Sequence, residues 1–158
     1  MELAEFLEKI KTERTAWELQ LARVPPEKMI APGVAGKWSV KDLVAHITWS
    51  EREMVGLLEA RALVGSDLWS LTNDERNEIV YQQNADRPLD EVLSDSKAVY
   101  ARLLELVTGM SDMELNDPGQ FAGMPADWLP WRVIAGNTYI HYREHAKNLE
   151  DWLDEDGA

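Results

Sequence analysis

Residues 38–64, WSVKDLVAHITWSEREMVGLLEARALV, read as one long amphipathic helix with a sharp start. Ser39 is a favoured N-cap residue and Asp42 follows three positions later, a shortened form of the reciprocal capping box. Leu43, His46, Ser50, Glu53, Leu57, Ala60 and Val64 then recur at helical spacing and share one stripe, with Trp49 at its edge and Gly65 as the stop. Glu51, Arg52 and Glu59 fall away from that stripe. So do Val44, Val55 and Leu58, which gives the helix a second apolar face suited to a dimer contact. His46 stands on the inward stripe, roughly two turns into the helix.

Outward from this segment the chain repeats the pattern. Leu3, Phe6, Leu7, Ile10, Trp17 and Leu21 make one face of a first helix from Glu2 to Arg23, which Pro25-Pro26 stops. Pro32, Gly33 and Gly36 punctuate the loop that follows. Between Asp67 and Arg87, Thr72-Asn73-Asp74-Glu75 is a helix start and Ile79, Val80 and Tyr81 follow, so a short helix is expected there. Pro88 opens a third long helix ending near Val107, with Leu89, Val92, Leu93, Val99 and Leu103 inward. Three prolines and three glycines between Gly109 and Pro130 mark the longest irregular stretch, the kind of connection that rims a site. A last helix from Pro130 to Leu153 precedes an acidic tail. Four long helices with hardly any strand signal predict an all-α, antiparallel four-helix bundle, with a short extra helix and a long loop before the last helix, as one domain over residues 1–158.

Composition narrows the function. A chain of 158 residues, 45% hydrophobic, buries an adequate core without staples. It has no cysteine, so disulfides, thiolate ligands and a cysteine nucleophile are excluded. A net charge of −13 repels phosphate backbones and anionic membranes, which argues against both as partners. The opening MELAEFLEKIKTER lacks the pattern of a signal peptide and no apolar run reaches membrane-spanning length, so a cytoplasmic location is expected.

The chain has three histidines, and all three face inward. On the last helix Ile134, His141, His145 and Trp152 form a stripe flanked by Asn137 and Asn148, opposite Arg143 and Lys147. An i, i+4 histidine pair facing a third histidine on a neighbouring helix makes a three-nitrogen site with open positions. The expected cofactor is one divalent transition metal, with Zn, Ni, Fe and Mn the ions to test, because imidazole suits such ions better than Ca or Mg. The alternative is a hydrogen-bonded cluster of buried imidazoles satisfied by Asn137 and Asn148.

Two motifs resemble a known family. Trp38-Ser39-Val40-Lys41-Asp42-Leu43-Val44-Ala45-His46 is similar to the signature opening the second helix of DinB-like proteins, the damage-inducible superfamily that includes the YfiT-type transferases. His141 and His145 match its His-x-x-x-His, and Asn137 to His145 with Trp152-Leu153 looks closer to the ClbS/DfsB branch. The resemblance implies a bundle with a crossing connection, His46, His141 and His145 as metal ligands, and a homodimer. It further implies protection against a reactive electrophile, by hydrolysis or by binding.

The reading that follows is a metal-dependent hydrolase or thiol transferase acting on small electrophiles, a detoxifying enzyme, with any thiol supplied by a low-molecular-weight partner. Glu53 is the candidate catalytic base, or else an ion-pair partner for Arg14. Trp49, Asn137, Tyr142 and Trp128 are the candidate substrate contacts, with Trp131 at the loop mouth. The competing readings are a non-catalytic bundle that binds or sequesters a small molecule without metal, and a dimeric interaction module.

Overall fold

A computed structural model describes residues 1–155. The end of the expected acidic tail, residues 156–158, lies outside the described residues. Four long helices form the frame: α1 (Leu3–Ala22), α2 (Val40–Ala60), α4 (Leu89–Thr108) and α7 (Tyr139–Glu155). Shorter helices α3 (Asn73–Asn84), α5 (Asp112–Asn116) and α6 (Pro130–Gly136) lie between them. Among the described residues only two isolated bridges, Ala35 with Trp38 and Ala62 with Ala122, have β pairing.

Local chemistry sets most helix starts. Ser39, Thr72 and Ser111 each accept from a backbone N–H three residues on, and Asp42, Glu75 and Glu114 return the bond, which satisfies N–H groups otherwise left open at a helix start. Pro88 precedes α4, whose first turn carries Asp90 and Glu91 against the positive end of the helix dipole.

Cross-helix pairs give the topology. Phe6 meets Tyr139, Glu13 meets Arg143 and Arg23 meets Asp154, so α1 and α7 run parallel. Arg52 meets Asp95 and Glu59 meets Arg102, so α2 and α4 also run parallel. His46 meets His141 and His145 while Glu51 meets Tyr142, so the two pairs are antiparallel to each other. Parallel neighbours need a crossover. Here α3 supplies it, packed back along α2 with Lys37 on Glu78 and Trp38 stacked on Tyr81. The core between the layers holds Phe6, Ile10, Trp17, Leu43, Ile47, Leu57, Leu103 and Leu149, all at most 1% exposed. Each such side chain contributes about 1.5–3 kcal/mol through burial.

The structure departs from the sequence reading at three places. First, α2 ends at Ala60, not near Val64. Arg61 adopts a left-handed conformation (φ 52°), and Leu63 and Ala122 exchange the chain's next hydrogen bonds with the long connection: Leu63 N–H donates to Ala122 O, and Ala122 N–H to Arg61 O. Second, the last helix is broken into α6 and α7. The Asn137 amide donates to Val133 O and the Thr138 hydroxyl to Ile134 O, and the backbone tightens to i, i−3 bonds at both residues. Third, α2 has almost no solvent face at its start, because α4, α3 and α7 surround it. Val44 (1% exposed) and Leu58 (7%) are covered within the chain and Val55 is partly buried, so most of the second apolar face packs inside the chain.

Candidate metal centre

The motif that opens α2 carries its functional side chain on a stiff base. Besides the Ser39–Asp42 cap, the Lys41 ammonium donates to the carbonyls of Ala85 (2.6 Å) and Arg87 (3.0 Å), which ties the α3–α4 turn to α2. Trp38 lies against the His46 ring, 5.1 Å between centroids. His46 is thereby held two turns into the helix. His141 and His145 project from adjacent turns of α7, just beyond the Asn137–Thr138 break.

The three rings converge. Centroid separations are 4.7 Å for His46–His141, 5.1 Å for His46–His145 and 4.6 Å for His141–His145. One nitrogen from each lies within 4.8 Å of the others, within reach of a single ion. Nε2 of His46 and Nε2 of His141 are 2.8 Å apart and share one hydrogen bond. Asn148 Oδ1 sits 3.2 Å from His145 Nδ1, which favours the tautomer with its lone pair on Nε2.

Burial pushes the pKa of His46 down to about 3, helped by His145 and Arg76. It pushes His141 down to about 2, helped by His46 and His145, and lowers His145 as well. All three rings are therefore neutral at pH 7, the form that donates to a cation. A cluster of neutral rings is poorly satisfied by itself. Nδ1 of His46 and Nδ1 of His141 are buried without a hydrogen-bond partner. The Nε2 pair holds one proton between two lone pairs. With the ring protons on Nδ1, each ring has a nitrogen lone pair within reach of a common centre, a donor set that can take a divalent transition metal such as Zn.

The cluster opens into a cleft of about 310 Å³. Trp49 and Asn137, both expected at the site, line it. Trp49 is half-buried and tilts against Trp69 at 5.1 Å. A larger groove of about 680 Å³ adjoins, sharing Trp69, Arg76, Gly136 and Asn137 with the cleft, and Trp128 lies on this groove and not beside the histidines.

Two expected site residues are placed elsewhere. Glu53 does not line the cleft. Its Oε2 accepts from the Ser66 backbone N–H and from the Trp69 indole, both at 2.7 Å, so it clasps the segment after α2. Nor does Glu53 pair with Arg14. That role belongs to Glu51, which lies off the main stripe of α2 but is 0% exposed and accepts from Arg14 at 2.6 Å. Tyr142 is also fully buried, its hydroxyl donating to the same Glu51 oxygen at 2.5 Å, so it cannot reach a ligand in the cleft. The Arg14 guanidinium lies over the Tyr100 ring at 4.3 Å and donates to Ser96. Burial opposes the charge on Arg14, but Glu51, Tyr142 and Glu18 outweigh it and raise its pKa. Burial raises Glu51 against the pull of Arg14 and Tyr142.

The sequence reading missed Trp69, Asn73, Arg76 and Asn77 on the cleft wall. A signal for the last three was present: the Thr72 cap fixes the start of α3, and positions 73, 76 and 77 then share a face.

Three comparisons bear on this geometry. The family model of the DinB superfamily matches residues 5–148. Among solved structures, an uncharacterised protein from Escherichia coli UTI89 superposes with a TM-score of 0.78 at 19% identity, covering 99% of this chain and 95% of that one. The colibactin self-resistance protein ClbS, solved in complex with a dsDNA, gives 0.77 at 18% identity over 95% and 94%. The sibling lethal factor precursor DfsB gives 0.80 at 11% identity over 99% and 97%. At these identities the likeness concerns the fold. No curated protein matches the sequence.

Proposed function

The chain belongs to the DinB superfamily, and from that premise we propose that it is a metal-dependent hydrolase or thiol transferase that disarms small electrophilic molecules. The carrying observation is the three-histidine cluster at the floor of an open cleft, with neutral rings that bring one nitrogen each within 4.8 Å of the others. His46, His141 and His145 hold the ion. When bound, a divalent cation lowers the pKa of a water or thiol and provides a nucleophile at neutral pH. Trp49 and Trp69 wall the cleft and limit water. The Asn137 amide nitrogen donates to Val133 O, which leaves its amide oxygen to accept from a ligand at the cleft wall. Without cysteine the chain must take any thiol from a small-molecule partner. That ClbS is a colibactin self-resistance protein supports the detoxifying reading. DNA binding is not carried over, because a charge of −13 opposes it.

Metal titration of chelator-treated protein tests the proposal. Near one equivalent of Zn in the wild type and none in His141→Ala is expected, and full occupancy in His141→Ala would refute the ligand set. A second reading is favoured by the adjoining groove, which is large and mainly apolar: binding or sequestration of a small molecule with no bond broken. Turnover of electrophiles that stops on chelation excludes it.

A further inference from the structure

Seven of the chain's nine arginines are ion-paired to a carboxylate. Among the described residues Arg76 and Arg132 have no carboxylate partner, although acidic groups outnumber basic ones by 29 to 16. Both line the same groove of about 680 Å³. Each guanidinium is instead supported by an aromatic face, Arg76 over Trp69 at 4.6 Å and Arg132 over Trp131 at 5.3 Å. Stacking of this kind positions the planar cation and leaves N–H edges open to an incoming acceptor. Arg76 also donates to Asn73 Oδ1, which fixes its direction. Glu53, which contacts the same Trp69, is engaged by Ser66 and the indole, and Glu144 lines the histidine cleft without an ion pair to Arg76.

Most of the rest of the groove is apolar: Met54, Leu57, Leu63, Val64 and Trp128 line it, with Ser66 and Asn137 as polar members. Leu63 and Val64 stay exposed at 37% and 49%, so apolar surface lies open beside the two cations. The volume suits one small molecule. Arg76 lies at the junction, since it lines the histidine cleft as well.

We infer that the groove binds a small amphipathic carboxylate, with its anionic group on Arg76 and Arg132 and its apolar body along Met54, Leu57, Leu63 and Val64. The assignment deepens the proposed function, on which only the direction of the ligand's reacting end, toward the histidines, depends. A monoanion is favoured because the strongly acidic surface opposes higher charge.

Octanoate, octanol and octylamine are chain-matched probes for calorimetry and tryptophan fluorescence, on chelator-treated and on Zn-loaded protein. Octanoate should bind about tenfold or more tightly than octanol in both preparations, and octylamine weakest. Arg76→Gln and Arg132→Gln should each remove about tenfold of octanoate affinity and leave octanol unchanged, whereas the remote Arg102→Gln should change neither. Octanoate no tighter than octanol overturns the inference, as does a parallel loss of both probes in the Arg76 and Arg132 variants. A preference confined to Zn-loaded protein overturns it too, by assigning the carboxylate to the metal. Absence of histidine-dependent Zn binding would sink the catalytic reading alone, because the chelator-treated arm still reads the arginines.

Discussion

Replacing Arg14 with Met should destabilise the bundle by an amount that grows with pH. Arg14 is 3% exposed and Glu51 is 0%, and Glu51 accepts from both Arg14 (2.6 Å) and Tyr142 (2.5 Å) while its second oxygen is buried without a partner. Removing one member of a buried ion pair costs about 3–5 kcal/mol at neutral pH. The pH dependence is the sharper test. Burial already raises the folded Glu51 pKa above its ordinary 4.5, and Arg14 is what holds it down. Without the guanidinium it rises further. Above pH 4.5 the unfolded chain has released the Glu51 proton while the folded variant keeps it, so stability falls as pH rises until the folded pKa is passed. The slope is at most about 1.4 kcal/mol per pH unit, so between about pH 5.5 and about pH 7.5 the variant should lose up to about 2.7 kcal/mol more than the wild type. Urea unfolding followed by fluorescence of the seven tryptophans measures this. Both conditions lie above the pI near 4.6, where solubility is lowest. The combined variant Arg14→Met, Glu51→Leu, Tyr142→Phe, which removes every polar end together, should recover most of the loss. A cost of Arg14→Met that is equal at the two pH values would refute the reasoning.

Metal-free protein should lose stability as pH falls below 6.5, the ordinary histidine value, because the unfolded chain takes up protons that folded His46 and His141, at about 3 and about 2, do not accept. The slope is about 1.4 kcal/mol per pH unit for each ring as an upper figure, and denaturant melts of His141→Phe should show a shallower one. Gly65→Ala places a Cβ 2.8 Å from Glu53 Oε2 and 2.9 Å from the Trp69 ring. It should open that clasp at a cost of about 1–3 kcal/mol, read as a shift in tryptophan emission that is absent in a Trp69→Phe background. Ser39→Ala removes the cap of α2 and should lower stability by about 1 kcal/mol in thermal melts; no change would mean that tertiary packing alone fixes the helix start.

The sequence by itself determined the starts of α2, α3 and α4 and the stop of α1, because caps and stops are local: Ser39, Thr72, Pro88 and Pro25-Pro26 act on backbone groups within a turn of themselves. It also set the phases of His46, His141 and His145, since helical periodicity fixes which side chains of one helix point the same way, and the convergence of the rings follows once those helices are neighbours. Periodicity does not say how much of a helix's circumference its neighbours cover. Glu51 lies off the main stripe, yet α1 and α7 cover that arc and bring Arg14 and Tyr142 onto it. The same closure withdraws Tyr142 from the cleft, while the indole of Trp69 draws Glu53 away from it. The end of α2 at Ala60 and the break at Asn137 likewise rest on competing hydrogen bonds, one of them reaching from Leu63 across the fold to Ala122. Arg76 and Arg132 share a groove only because the crossover through α3 and the start of α6 are folded to the same end of the bundle. Such pairings are set by which surfaces exclude water from one another, and that is a property of the assembled helices and not of any one of them.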